Sequence, residues 1–253
     1  FKVFKAKLVK NQRRGKDYVV INFAAAPSQD AFLKNLVRLF KKADARYEGE
    51  HHIKNYYTSR LKGVHMDEYL GLTEGHPVSF KKYLGEHIVA PLGMLVCFHA
   101  HYTFARDSLE KNQFFFLSDY SNEEYMDIID KLGGIDITCC GIGENGHLGF
   151  NDPPADFTVE GIIKVRLNRE CRIQQVRDYP EIYNPGRVEI FGKDGQVINE
   201  KNLEKALKYV PKFARTMTIR TMIAPDTVFV IVPRAQKARA VAALFESGIN
   251  PNV

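Results

Sequence analysis

Short β-rich apolar runs alternate with segments of helical spacing along this chain, and that alternation leaves few folds open to it. The run 18–23 (YVVINF) ends in Ala24-Ala25-Ala26-Pro27-Ser28-Gln29, after which Phe32, Leu33, Leu36 and Leu39 recur at helical spacing over 30–39. This reads as a strand, a tight turn and a helix, with Ser28 placed to cap the helix. Residues 64–66 close a second strand just before Asp67 and Glu68, and 78–89 reads as a helix following Pro77. The stretch 122–132 is a helix with acidic residues in its first turn, where the helix dipole favours them. Residues 135–142 (IDITCCGI) form a buried strand that runs into a glycine-rich loop, and 161–167 is another strand. Residues 228–232 (VFVIV) read as a buried strand and 235–245 as an Ala-rich amphipathic helix. Such a succession predicts an α/β fold of three layers, a mainly parallel, Rossmann-like open sheet flanked by helices.

A chain of 253 residues accommodates one large domain or two small ones. No internal repeat or low-complexity linker divides it, so a single domain over 1–253 is expected. One region departs from the alternation. Segments 187–191 and 196–198 flank Lys193-Asp194-Gly195, a good hairpin turn, and Asn199 is placed to cap a helix over 200–209. The region 183–209 is therefore expected as a hairpin–helix insertion, either a flap over the site or a plain structural hairpin. The longest apolar runs, such as 227–233, are far too short to cross a bilayer, so no membrane partner is expected. The chain opens on Phe1 rather than Met, so a preceding segment is expected, and no other feature suggests secretion.

The net charge of +6 raises the question of nucleic acid. The Lys and Arg residues are spread along the chain, with short clusters at 11–16 and 41–46, whereas a nucleic-acid binder concentrates them on one face among exposed aromatics. Nucleic acid is not expected as a partner, and an anionic small molecule accounts for a mildly basic protein equally well. Cys97, Cys139, Cys140 and Cys171 form no C-x-x-C pair and read as core residues of a reduced, cytoplasmic protein. His51–His52 and the alternating His99 and His101 lack a carboxylate or Cys at ligand spacing, so no metal is expected there.

The densest polar chemistry lies in 141–156, which opens at the carboxyl end of a predicted strand, where open α/β sheets bind ligands. Its glycines bring His147 close to a ligand, and Glu144 and Asp152 flank the imidazole closely enough for either to tune it as a general acid/base. A Gly-rich loop whose histidine merely caps a helix would look the same. The second constellation, His65-Met66-Asp67-Glu68-Tyr69, also ends a predicted strand. Its adjacent acids read either as a base with its hydrogen-bonded support or as two solvated loop residues.

Together, Met66-Asp67-Glu68-Tyr69 and the segment 141–153 (GIGENGHLGFNDP) resemble the two ordered motifs of the glucosamine-6-phosphate deaminase/isomerase family, relatives of the 6-phosphogluconolactonases. The resemblance runs from about residue 18 to about residue 248. It implies that Asp67 is the proton-transferring base, that His147 is the ring-opening acid/base, and that Asp152 partners this histidine in place of the family's Glu. It further implies that the turn carrying Ala25, Ala26, Ser28 and Gln29 holds a phosphate, that Arg177 and Lys237 are its cationic ligands, and that Glu68 and Gly146 face the substrate. Neither metal nor organic cofactor is implied. The partner is a small phosphorylated sugar, and assembly into a homo-oligomer is left open.

This chain departs from the family pattern in specific places. The family's Asp two residues before the histidine is Asn145 here, with Glu144 beside it, and the paired glycines of the phosphate turn are replaced by Ala24-Ala25-Ala26. Family members also continue past the segment matching 248–253 with another strand and a tail. The expected activity is aldose–ketose isomerisation of a hexosamine 6-phosphate with loss of ammonia, in a divergent branch. Lactone hydrolysis at His147 and non-catalytic sugar-phosphate binding are the alternatives.

Overall fold

The apolar runs pair side by side. In the computed structural model, which describes residues 1–73, 75–96, 106–233 and 235–246, eight strands form: β1 (Val19–Phe23), β2 (Leu61–His65), β3 (Asp67–Tyr69), β4 (Phe114–Phe115), β5 (Ile137–Cys140), β6 (Ile162–Arg166), β7 (Phe213–Met217) and β8 (Val228–Val230). Five of them make one sheet in the order β4-β2-β1-β5-β8, with every pair parallel. Cys97, His99, His101 and the expected end of the family match at Gly248 lie outside the described residues.

Side-chain alternation explains the layering. Along β1, Val19, Ile21 and Phe23 enter one apolar cluster with Phe4, Leu36 and Phe40, while Val20 enters a second with Tyr125, Ile128 and Met222. Helices Lys2–Gln12 and Asp30–His51 thus cover one face, and Asn122–Lys131 and Ile219–Ile223 the other. The central strands are buried on both sides, as parallel sheets require. The expected three-layer fold is the observed one. Among the described residues no helix is long and apolar enough to cross a membrane.

Local expectations fare unevenly. The helix beginning at residue 30 runs on to His51, because Phe40 and Asp44 continue its buried face among polar neighbours. Ser28 does not cap it: Ser28 lies in a 3₁₀ turn, Pro27–Gln29, and the helix has Gln29 at its N-cap with no side-chain cap bond. Helix Asn122–Lys131 carries a full capping box, Ser121 with Glu124. The segment 78–89 splits into an α-helix, Phe80–Leu84, and a π-helical stretch, Gly85–Val89. The strand expected as buried at 228–232 is instead half exposed, with Phe229 at 40% and Val230 at 49%. It closes the sheet order beyond β5, so one flank lacks a neighbouring strand among the described residues.

In 183–209 Asn199 does cap a helix, Glu200–Leu207, accepting from the Asn202 N–H. The hairpin before it shrinks to one bridge, Phe191 with Val197. A second sheet, antiparallel in the order β3-β7-β6, was not foreseen. It starts from β3, only one residue beyond β2, so the chain passes from the parallel sheet to the antiparallel one at Met66–Asp67.

Gly63 shows how tightly β2 meets its neighbour. A Cβ there would fall 2.3 Å from Cδ2 of the fully buried Phe114 ring on β4. Gly63→Ala is expected to destabilise the fold by about 1–3 kcal/mol, read as a lower midpoint in thermal or urea unfolding.

Candidate active site

Parallel strands place all their carboxyl ends on one edge, so the segments that leave β1, β2, β5 and β8 converge there. Ala24, Ala25, Ala26, Ser28 and Gln29 follow β1, and Met66 and Asp67 follow β2. Gly141, Ile142, Gly143 and His147 follow β5, and Lys237 follows β8. All of these line one pocket, completed by Phe80, Gly149, Phe150, Gln174 and Gln175. Asp67 and His147, 80 residues apart in the chain, share one cavity. A larger cavity of about 630 Å³ lies beyond Glu68, but its mainly apolar lining contains neither Asp67 nor His147.

Asp67 opens β3, opposite Thr216 on β7. Its carboxylate is buried and accepts no hydrogen bond among the described residues. Burial, reinforced by the neighbouring charge of Glu68, holds its pKa well above the usual carboxylate range. Such a group is a strong base when ionised.

His147 lies against Gly143, whose Cβ, if present, would sit 2.1 Å from the imidazole Cε1. Its Nδ1 is 2.6 Å from Asn145 Oδ1, an acceptor only, which fixes the Nδ1–H tautomer and leaves the lone pair on Nε2. Asn145 in turn donates through Nδ2 to Asp152 Oδ1 at 3.0 Å, which itself stands 3.5 Å from His147 Nδ1. Burial pushes the imidazole pKa down to about 4. Asp152 and Glu144 oppose this, and Lys237 adds to it. Desolvation outweighs the Asp152 carboxylate, which stands 3.5 Å from Nδ1 while the neutral Asn145 amide is the nearer partner.

The other expected site residues are placed as follows. Lys237 is buried and lines the pocket. Ser28 and Gln29 lie in the turn leading into helix Asp30–His51, whose amino end suits an anion. Gly146 takes a positive φ of 91° in the tight turn before His147 and does not line the pocket. Glu68, expected to face substrate, is instead turned away: its carboxylate accepts from Ser79 Oγ and from the N–H groups of Tyr69, Phe80 and Lys81, anchoring helix Phe80–Leu84. Arg177, expected as a phosphate ligand, is likewise drawn off the pocket. Its Nη1 binds both Glu144 oxygens at 2.7 and 2.6 Å, and its Nη2 donates to the Gly195 carbonyl. Glu144 therefore serves Arg177 and does not contact His147, while Asp152 stays with the histidine.

Thr216, Gln174 and Gln175 were missed. Thr216 Oγ1 accepts the Phe150 N–H at 3.1 Å, and Asn151 Nδ2 donates to the Met217 carbonyl at 2.8 Å, so β7 fixes the histidine loop beside Asp67. No apolar alternation marks 213–217 as a strand. The two glutamines do sit three and four residues after Cys171, on the inner face of helix Arg169–Asp178.

A buried acid and a neutral histidine at the carboxyl edge of a parallel sheet define an α/β enzyme site. No family model matches the chain. Glucosamine-6-phosphate deaminase 1 of Bacillus subtilis (strain 168) is 25% identical over 245 residues, 97% of this chain and 82% of that protein. A structure described as a monomeric glucosamine-6-phosphate deaminase of the NagB superfamily superposes with a TM-score of 0.64 at 23% identity, covering 98% of this chain and 83% of that one. The 6-phosphogluconolactonase of Thermotoga maritima shares the fold with a TM-score of 0.53 at 10% identity, over 98% and 84% of the two chains. Over nearly its whole length the chain is thus similar to glucosamine-6-phosphate deaminases, and it shares their fold.

Asn145→Asp restores the carboxylate beside His147. The histidine pKa is expected to rise from its value of about 4 toward the ordinary range near 6.5, read by NMR titration of the imidazole protons. An unmoved titration would show that burial alone governs this group.

Proposed function

We propose that this enzyme isomerises a hexosamine 6-phosphate and releases its amino group as ammonia, leaving a ketose 6-phosphate. The observation that carries this reading is the shared pocket, in which Asp67 and His147 stand with Lys237 and the turn before helix Asp30–His51. Neutral His147, with its Nε2 lone pair, takes and returns the proton that opens the sugar ring, and the Asn145–Asp152 pair fixes its tautomer. Asp67 as carboxylate removes the proton from C2 and delivers it to C1 through an enolamine. Water then hydrolyses the resulting C2 imine, forming the ketone and releasing ammonia. Lys237 and the N–H groups at the helix entrance hold the phosphate, so that binding energy remote from the chemistry orients C1 and C2.

Three features support deamination over lactone hydrolysis. Asp67 is a base that ring-opening hydrolysis would not need, it lines the same pocket as the histidine, and the similar curated protein is named for the deaminase reaction. Glucosamine, galactosamine and glucose 6-phosphates and 6-phosphogluconolactone, assayed for ammonia, ketose and acid, decide between the two. Ammonia and ketose from an amino sugar uphold the proposal, and acid from the lactone alone rejects it.

Asp67→Asn is expected to lower kcat by about 10²–10⁴ with substrate binding retained. The same substitution is expected to raise stability at pH 7. A carboxyl whose pKa is higher in the fold than in the unfolded chain loses stability as pH rises from its unfolded value, near 3.9, toward its folded one. The melting temperature of Asp67→Asn should therefore exceed that of the parent at neutral pH, by about 2–4 °C for each kcal/mol recovered, and the gap should close near pH 4.

A further inference from the structure

Behind the histidine, His147, Asp152 and Cys171 bring an imidazole nitrogen, a carboxylate oxygen and a thiol sulfur within 4.8 Å of one another. We propose that these three side chains form a binding site for a soft divalent cation of the zinc type, and that its occupancy switches the enzyme off.

The donor set is the one such an ion selects: thiolate, imidazole and carboxylate are the three common protein ligands of zinc. The spacing suits it as well. His147 Nδ1 and Asp152 Oδ1 are 3.5 Å apart, and two ligands about 2.0–2.1 Å from a tetrahedral ion stand about 3.3 Å from each other. Two things must change: the thiol moves closer, by about an ångström, to reach the roughly 2.3 Å of a zinc–sulfur bond, and Nδ1 gives up its hydrogen bond to Asn145 Oδ1, its proton passing to Nε2.

The site is also braced from outside. Asn168 accepts the Cys171 N–H at 2.7 Å through Oδ1 and donates its own N–H to Asp152 Oδ2 at 3.3 Å, so a single residue sets the carboxylate relative to the cysteine. Asn145 holds the other carboxylate oxygen. Outer contacts of this kind orient metal ligands.

Charge balance favours the bound state. Cys171 is 1% exposed, and burial with the nearby Asp152 and Asp67 charges holds its thiol protonated. On binding, the thiol passes its proton to solvent, and the thiolate and carboxylate together neutralise the two positive charges of the ion. No net charge is then left in the interior. Metal on either imidazole nitrogen also removes the acid/base cycle: at Nε2 it takes the lone pair, and at Nδ1 it leaves Nε2 carrying the proton. This inhibitory clause rests on the role of His147 proposed above, while the binding clause does not.

The test reads binding without substrate. The intact protein is titrated with Co²⁺ and separately with Cd²⁺, following the sulfur-to-metal charge-transfer absorption. A band saturating at one ion per chain is expected in the parent and in Asp67→Asn, lost in Cys171→Ser, and weakened roughly tenfold or more in affinity in Asp152→Asn. No band in the parent, or an equal band in Cys171→Ser whose far-UV circular dichroism matches the parent, overturns the site. Where the panel above finds turnover, Zn²⁺ should inhibit it, a chelator should restore it, and Cys171→Ser should resist. Turnover unaffected by Zn²⁺ at saturation of the band overturns the switch.

Discussion

The grip of the two neighbours of β7 on that strand is the constraint on which the pocket depends. Its Met217 N–H donates to the Met66 carbonyl at 2.7 Å, one residue before Asp67. The fully buried Thr216 hydroxyl takes the Phe150 N–H, and the Asn151 side chain reaches the Met217 carbonyl. Two loops from different strands of the parallel sheet are thereby pinned to one strand of the antiparallel sheet. The small sheet thus sets the separation of Asp67 and His147. Its hydrogen bonds lie in the interior, where an unmade one costs about 1–3 kcal/mol, so the arrangement resists slippage.

Burial is the second physical theme, and it acts on both reactive groups in the direction of neutrality. Asp67 is pushed up and His147 down, each chiefly by loss of water. In this chain the nearest partner of Nδ1 is the Asn145 amide, with the Asp152 carboxylate farther off at 3.5 Å, and burial outweighs the pull of that charge, so the imidazole stays neutral. Asp67 accepts no hydrogen bond among the described residues, so its carboxylate, once ionised, has its basicity undiminished by donors. Glu68 next door is also raised by burial, but there four donors oppose the shift, and its carboxylate holds helix Phe80–Leu84.

Much of this was legible in the sequence, for identifiable reasons. β1 and β5 are continuous apolar runs, and a run buried on both faces announces a parallel strand whatever its neighbours are. The glycines at 141, 143 and 146 marked the loop at the end of β5, and His147 followed directly. What could not be read was set by contacts distant in sequence. Nothing local in Phe213-Ala214-Arg215-Thr216-Met217 says that β3 lies beside it, and β-propensity is decided by such neighbours. Glu68 looked like a partner to Asp67 because adjacency in sequence hides alternation: successive strand residues face opposite ways. The exposure of β8 likewise follows from its place in the sheet order and not from its composition.

The same geometric reasoning accounts for Arg177. Relative to the family pattern, the carboxylate expected at 145 has become an amide, and a carboxylate stands one position earlier, at Glu144. In a tight turn, adjacent side chains diverge. A one-residue displacement therefore moves the negative charge from the imidazole to the guanidinium, and Arg177 answers it with a two-oxygen ion pair. Through its other nitrogen Arg177 also holds the Gly195 carbonyl at the tip of the 192–195 turn, and its guanidinium lies 5.1 Å from the centre of the Phe191 ring. One charge displacement thus couples three features that were separate in the sequence: a neutral histidine, a pocket lined by the buried Lys237 and not by Arg177, and the 192–195 turn tethered to the loop that carries His147.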